Sequence, residues 1–362
     1  MPITVRSAAD PAAGESGGHA VAALAAAVVG FFVITLDVTI VNVAVPTIRD
    51  ELGGGMTGLQ WVVDGYTLMF AALLLSAGAL SDRVGARRAF GTGMGVFVAA
   101  SAACGPAPGL GILVAARFVQ GAGAAVVMPT TLALIREAYD APARRARAVA
   151  VWATDGAAAA AAGPLVGGVL SELSWRLIFL INIPVGVVAL RLVARTRPSP
   201  HRRVPFDWAG QVAAVAGMGG LTYGVIEAGV DGFTAPRVIV AFAVAVLGMT
   251  GFLAVEARTA HPMVPLEMFR NRTMVIAVTV GFTFMVGFYA APLWAVAALM
   301  VPVGLGGTLV MPPLTAHLPD IVPAHRAGVA GGILNTAVSD ADSAFATWAT
   351  KTAQQAAARV PA

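Results

Sequence analysis

Long apolar runs separated by short polar or arginine-rich stretches dominate the pattern of this 362-residue chain. Crossing the hydrocarbon core of a bilayer takes a helix of about 20 apolar residues. Runs of suitable length fall at residues 20–46, 60–80, 89–106, 110–135, 146–170, 178–193, 208–226, 238–255, 273–291 and 293–311. The pattern therefore predicts an all-α integral membrane protein with about ten transmembrane helices.

The composition agrees with that prediction. The chain is 58% hydrophobic and 12% charged, and its mean hydropathy is +0.80. Soluble domains carry about 25% charged residues, so this chain is not expected to be a soluble enzyme. It is also too apolar to be disordered as a whole. Cys104 is the single cysteine, which excludes an internal disulfide.

The arginines between the runs predict the orientation of the chain. Loops that hold several arginines alternate with loops that hold one, as expected if the rich loops are cytoplasmic. The rich loops contain Arg83, Arg87 and Arg88; Arg136, Arg144, Arg145 and Arg147; Arg191, Arg195, Arg197, Arg202 and Arg203; and Arg258, Arg270 and Arg272, whereas the others contain only Arg49, Arg176 and Arg237. This alternation places the N-terminus in the cytoplasm and the protein in the cell membrane. We interpret the net charge of +4 as membrane topology and expect no nucleic-acid partner.

The sequence shows no pattern of residues that is typical of enzyme catalysis. The five histidines, His19, His201, His261, His317 and His325, all fall in tails or loops, and none is paired at metal-ligand spacing. The sequence contains no zinc-protease, serine-hydrolase or phosphate-loop motif. We therefore expect a protein that is not an enzyme and that uses no cofactor or metal.

Four charged residues stand out inside the apolar runs, away from the arginine-rich ends, namely Asp37, Asp64, Arg117 and Asp155. A charge at bilayer depth costs several kcal/mol and usually lines a water-filled path. An acid near a mobile arginine can change its protonation when its surroundings change, as a proton-coupled transporter requires. Two alternatives stay open: a static Asp37–Arg117 pair that holds two helices together, and an interfacial position for Asp64.

Four segments carry a resemblance to a known family. They are residues 36–46 (LDVTIVNVAVP), 78–88 (GALSDRVGARR), 113–123 (LVAARFVQGAG) and 163–168 (GPLVGG). In this order they resemble the first-helix, loop 2–3, helix 4 and helix 5 motifs of the major facilitator superfamily, in its 14-helix drug:proton antiporter branch. Trp175 and Arg176, followed by Phe179, Asn182, Pro184 and Gly186, continue the similarity into helix 6.

The resemblance implies roles for individual residues. It assigns Asp37, Arg117, Asn42 and Asp155 to proton coupling or the central cavity, and Gln120 and Gly121 to the helix 4 motif. Gly78, Asp82, Arg83, Gly85, Arg87 and Arg88 would form the cytoplasmic gate, and Gly163, Pro164, Gly167 and Gly168 the antiporter motif. Ala86 stands where the family usually has a basic residue. Trp61 and Tyr66 match aromatic positions of the family, but an interfacial aromatic belt explains them equally well.

The resemblance to this family also predicts the domain organisation. A disordered cytoplasmic tail (1–19) precedes a complete N-terminal six-helix bundle (20–193), a basic linker (194–206) and an extra helix pair (207–255). An incomplete C-terminal bundle (256–316) and a cytoplasmic or surface tail (317–362) follow. Two helices of the family pattern are missing at residues 290–292, and Asp340 and Asp342 disfavour insertion of the tail.

The function implied is proton-coupled export of small amphipathic drugs or metabolites by alternating access, with drug or antibiotic resistance as the outcome. The expected partners are protons, the lipid bilayer and a small amphipathic substrate, cationic compounds included, with the proton gradient as the energy source. The incomplete second half leaves three alternatives: a non-transporting remnant, an assembly subunit completed by self-association, and an incomplete sequence.

Overall fold

The computed structural model describes residues 11–199 and 207–259, together with the single residues 272, 275 and 279. Within these residues all regular structure is helical. The helices are α1 (Pro11–Leu52), α2 (Met56–Val84), α3 (Ala86–Cys104), α4 (Leu110–Ala138), α5 (Pro142–Leu173), α6 (Leu177–Leu180), α7 (Asn182–Ala194), α8 (Trp208–Asp231) and α9 (Pro236–Arg258).

Each apolar run before residue 259 coincides with helical structure, and most of the observed helices extend a few residues beyond the predicted ends. The run 89–106 instead ends two residues after α3. Helix α1 begins much earlier than predicted, at Pro11, so residues 11–19 form its first turns and not the predicted disordered tail. Proline suits the first turn of a helix because its missing N–H would have no partner there. The runs at 273–291 and 293–311, most of the predicted C-terminal bundle, the tail and residues 200–206 of the linker lie outside the described residues.

Six segments of the described chain are long and apolar enough to cross a membrane: α1 from Gly18, α4, α5, the stretch Leu177–Ala194, α8 and α9. A seventh follows if the two bent parts of α2 count as one span. The stretch Leu177–Ala194 contains α6 and α7, which adjoin at Ile181 and together match the predicted run 178–193.

Helices α1 and α4 lie at the centre of the described bundle. α1 packs against α4, α5 and α7, whereas α4 also contacts α2 and α3. Glycines, which have no Cβ, allow these helices to pack closely. A Cβ at Gly121 of α4 would lie 2.3 Å from the Tyr66 carbonyl oxygen of α2, and one at Gly123 would lie 2.7 Å from the Phe97 amide of α3. Glycine at these two positions lets the α4 backbone touch both neighbouring helices.

Helices α8 and α9 form a hairpin beside this bundle. They cross where Gly217 and Gly248 meet backbone to backbone. α8 packs on α2 through Met218, and Gln211 Nε2 donates to the Ala72 carbonyl oxygen of α2 at 3.2 Å. At the far end of the hairpin, Arg237 of α9 pairs with Glu227 and Asp231 of α8.

Gly121→Ala should destabilise the bundle, because its Cβ would meet the α2 backbone, which has no side-chain freedom to yield. Overpacking of this kind typically costs about 1–3 kcal/mol, more than the gain of about 1 kcal/mol in helix propensity. A melting curve in detergent measures the effect. The control is Gly111→Ala in the same helix, where a Cβ would have no neighbour within 4 Å in the part of the chain that the structure describes. Equal melting temperatures for the two variants would show that the α2–α4 contact is not tight.

Candidate functional site

A buried ion pair joins α1 to α4. Arg117 Nη1 donates to Asp37 Oδ2 at 2.5 Å, and the two side chains are 1% and 0% exposed. Both residues lie well inside helices long enough to span the membrane. The Asp37–Arg117 pair, which the sequence left open as one alternative, is therefore formed, and it is closed to solvent.

The second oxygen of Asp37 is also occupied. Gln120 Nε2 donates to Asp37 Oδ1 at 2.9 Å, and Asn182 Nδ2 donates to the same oxygen at 2.7 Å. Gln120 lies three residues after Arg117, so both residues share one face of α4, and Gln120 Oε1 accepts from Arg117 Nη1 at 2.8 Å. Ser101 of α3 accepts from Gln120 at 2.7 Å and joins a third helix to the network.

Arg117 is held on its other side by α2. Its Nε donates to the Val62 carbonyl oxygen at 2.9 Å, and its guanidinium carbon lies 4.2 Å from the centre of the Tyr66 ring. The Phe179 ring lies on a further side, at 5.8 Å. The close contact at Gly121 keeps α2 near enough for the bond to Val62. An arginine over an aromatic face gains a cation–π attraction, which is strongest when water is excluded.

These contacts compensate the cost of burying two charges. The net value of a buried pair is small, but removal of one partner leaves an uncompensated charge, at a cost of about 3–5 kcal/mol. Five helices contribute to the cluster: Asp37 comes from α1, Val62 and Tyr66 from α2, Ser101 from α3, Arg117 and Gln120 from α4, and Asn182 from α7. A change in the Asp37–Arg117 contact would therefore alter contacts made by five helices of the described bundle.

The structure does not bring the other two predicted cavity residues into this cluster. Asn42 is exposed on α1, and its amide donates to the Val38 carbonyl oxygen of its own helix at 3.0 Å. Asp155 is half-buried on α5, and its Oδ2 is enclosed with no hydrogen-bond partner among the described residues. The predicted cavity set thus divides into a closed pair and two more accessible residues.

The predicted gating residues surround the short connection between α2 and α3. Gly78, Asp82 and Arg83 belong to the last turns of α2, and Gly85 connects the two helices with φ of +87°, a conformation that favours glycine. Arg87 donates to the Ala194 carbonyl oxygen at the end of α7, at 2.7 Å. Arg88 is exposed in the first turn of α3.

An acid that the sequence analysis did not select completes this region. The Glu137 carboxylate, at the end of α4, accepts from the backbone amide of Ala86 and from the Ser199 hydroxyl. Ser199 Oγ in turn accepts from the Arg87 amide at 3.0 Å. A carboxylate at a helix N-terminus satisfies free amides and complements the helix dipole. Glu137 thus links the start of α3 to the chain that follows α7.

The helix 5 motif has a packing role at two of its glycines. A Cβ at Gly163 would lie 2.0 Å from Thr39 Oγ1, and one at Gly167 would lie 3.0 Å from Ile40, so both positions let α5 approach α1. At Gly168 a Cβ would meet no atom within 4 Å among the described residues, so this glycine brings no described helix close. Pro164 lies inside α5, which continues through it.

Two further residues belong to the site: Asn182, which the sequence analysis named only for its match to helix 6, and Ser101, which it did not select. Asn182 donates to Asp37, and Ser101 accepts from Gln120. Asp64 of α2, for which an interfacial position stayed open, is 3% exposed and has no described contact with this cluster. Tyr66 is also fully buried against Arg117, which excludes an interfacial belt at this position. The available signal for Ser101 and Asn182 was that each is a polar residue inside an apolar run, 89–106 and 178–193 respectively.

The described helices and their enclosed charge cluster define a multi-pass helical membrane protein. Comparison with known families matches residues 27–344 to the Major Facilitator Superfamily. The chain therefore belongs to the Major Facilitator Superfamily, a family of membrane transporters.

Curated relatives are resistance and export proteins. The chain is 40% identical over 258 residues to the methylenomycin A resistance protein of Bacillus subtilis, covering 70% of this chain and 55% of the relative. It is 37% identical over 290 residues to the methylenomycin A resistance protein of Streptomyces coelicolor, covering 77% and 61%. It is 38% identical over 272 residues to the cephamycin export protein CmcT of Amycolatopsis lactamdurans, covering 74% and 56%. The chain spans little more than half the length of these relatives.

Solved structures share the fold. The human organic anion transporter MFSD10 aligns with a TM-score of 0.56 at 13% identity, covering 93% of each chain. The peptide transporter POT, solved in complex with sulfate, aligns with the same TM-score at 13% identity, covering 92% of this chain and 90% of that one. Identities this low support the fold alone.

A double-mutant cycle on Asp37→Asn and Arg117→Gln should reveal strong coupling. Each single change leaves one buried partner unmatched and should cost about 3–5 kcal/mol, whereas the double change should cost clearly less than the sum. Unfolding in detergent provides the free energies. The matched control is the exposed pair of Glu51 and Arg176, for which the coupling should be at most about 1 kcal/mol. Additive costs at Asp37 and Arg117 would contradict the buried pair.

Proposed function

We propose that this chain is a proton-coupled exporter of small amphipathic drugs or metabolites that works by alternating access. The observation that carries the proposal is the Asp37–Arg117 pair. It is buried between two membrane-spanning helices and is connected by hydrogen bonds to three more. An ionisable pair at this depth is costly and is typical of a proton or ion pathway. Its position in a Major Facilitator Superfamily chain supports coupling to transport.

In the proposed mechanism, protonation of Asp37 neutralises the carboxylate and removes its Coulomb attraction to Arg117. Gln120 and Asn182 donate to the same carboxylate, so their bonds weaken as well. Arg117 keeps its contacts with Val62 and the Tyr66 ring, which provide a second position for its charge. A proton thus changes the contact between α1 and α4, the helices at the centre of the described bundle. The proton gradient is the energy source, and no cofactor is needed.

The relatives suggest the substrate class. They are named for resistance to methylenomycin A and for cephamycin export, which are actions on small antibiotics. We propose that this chain acts on small amphipathic compounds of similar size, cationic ones included. We also propose that it belongs to the 14-helix branch, that α8 and α9 are the additional pair, and that the N-terminus is cytoplasmic.

A non-transporting assembly subunit is the second candidate. The observation that favours it is internal to the sequence: two helices of the family pattern are expected to be absent at residues 290–292. This candidate predicts no gradient-dependent flux and a stable oligomer in the membrane. Cross-linking in native membranes separates the two candidates, because a transporting monomer should give no dimer band.

Efflux tests the exporter directly. In inverted vesicles with an imposed pH gradient, the wild-type chain should accumulate ethidium when the interior is acidic. Asp37→Asn and Arg117→Ala should each reduce the initial rate by about tenfold or more, since each removes one member of the proposed coupling pair. The initial rate of dye uptake, normalised to the amount of protein, is the measured quantity.

The control for this experiment is Arg144→Ala, which removes an exposed arginine near the start of α5 and should leave the rate unchanged. Collapse of the gradient with a protonophore should abolish uptake. Wild-type rates in both pair variants would exclude the proposed role of Asp37 and Arg117, and absence of wild-type uptake would favour the assembly subunit.

A further inference from the structure

Asp155 is a membrane-embedded carboxylate that the Asp37–Arg117 cluster does not use. It lies in the inner part of α5, a helix long and apolar enough to cross the membrane, and its side chain is half-buried. A carboxylate in contact with lipid tails costs several kcal/mol, so such residues face water, protein or a ligand. The exposed side of Asp155 therefore indicates a polar or ligand-filled space beside α5.

The carboxylate has unused acceptor capacity. Oδ2 is enclosed by protein and receives no hydrogen bond from the described residues. Asp37 differs, because Arg117, Gln120 and Asn182 occupy both of its oxygens. Of these two acids, only Asp155 keeps an oxygen without an internal donor among the described residues, and since that oxygen is enclosed, a positive group would approach the exposed side of the carboxylate.

Aromatic rings lie within one helical turn of Asp155. Trp152, three residues earlier, stacks on Phe31 of α1 with ring centres 4.2 Å apart. The Trp152 indole N–H donates to Thr131 Oγ1 at 3.1 Å, which fixes the ring. The next residue after Asp155, Gly156, contacts the Phe31 ring. Trp152 is 6% exposed, so its ring is committed to Phe31 and Thr131 and holds the Asp155 turn of α5 against α1.

The face of α5 beyond Asp155 is open and apolar. Residues 157–162 are all alanine. Ala158, Ala162 and Leu165 follow Asp155 at helical spacing, and Ala158 and Leu165 are exposed. Small side chains at these positions leave room for the body of a ligand whose charged end lies at Asp155.

We propose that Asp155 binds the positive group of an amphipathic organic cation, whose apolar body lies along Ala158, Ala162 and Leu165. This inference rests on the proposed export function and deepens it. It assigns charge recognition to Asp155 and leaves the closed Asp37–Arg117 pair to the proton. Asp155 is then a specificity-determining residue: it favours cations over neutral or anionic compounds of the same shape.

Equilibrium binding of tetraphenylphosphonium to the purified full chain in lipid nanodiscs tests the proposal. Asp155→Asn should weaken binding by about tenfold or more, because it removes the charge and keeps the shape. Asp155→Glu, which restores the charge, should bind within a few-fold of wild type. Tetraphenylborate, an anion of the same shape, should bind wild type more weakly than the cation and should bind better to Asp155→Asn.

The control is Asp140→Asn, which removes an exposed acid between α4 and α5 and should leave the affinity unchanged. Equal tetraphenylphosphonium affinity in wild type and Asp155→Asn would overturn the proposal. If Asp155→Asn does not fold, equal binding of the cation and the anion by wild type would overturn it instead. Binding needs no gradient, so Asp155-dependent binding without flux would contradict the export function alone.

Discussion

A guanidinium and a carboxylate, both removed from water, face each other between α1 and α4. Either charge alone would be prohibitively expensive at this depth, and together they still need every remaining donor and acceptor to be satisfied. The surrounding helices supply those partners, with Val62 from α2, Ser101 from α3 and Asn182 from α7. The requirement to satisfy one ion pair therefore constrains the positions of five helices at once.

Close backbone contact makes this arrangement possible. Gly121 brings α2 to within reach of Arg117, and Gly163 and Gly167 bring α5 against α1. Neighbouring side chains of ordinary size would move the polar groups beyond hydrogen-bond distance. In a membrane, where apolar side chains gain little from association, such close contact is itself a main source of helix–helix affinity.

The sequence predicted helix positions well, because a membrane span must be long, apolar and bounded by polar residues. It offered the Asp37–Arg117 pair as one of two open interpretations of these charges, because a charge at bilayer depth needs a partner or a water-filled path. It named Asn182 only for its match to helix 6 and did not select Ser101, because a single amide or hydroxyl in a run is common and its partner depends on helix rotation. Glu137 was missed for a related reason. An acid at the end of a span is common, and the sequence does not show that the N-terminus of α3 lies beside it. The separation of Asn42 from Asp37 could have been predicted, because residues five apart on one helix lie about 140° apart around its axis.

The contacts of Glu137 have a mechanical consequence. Because this carboxylate binds both Ala86 and Ser199, and Arg87 binds the Ala194 carbonyl, the chain leaving α7 is fastened to the first turn of α3 through residue 199. Loss of the Glu137 carboxylate would therefore release the first turn of α3 and the end of α7 together, beside the α2–α3 connection at Gly85.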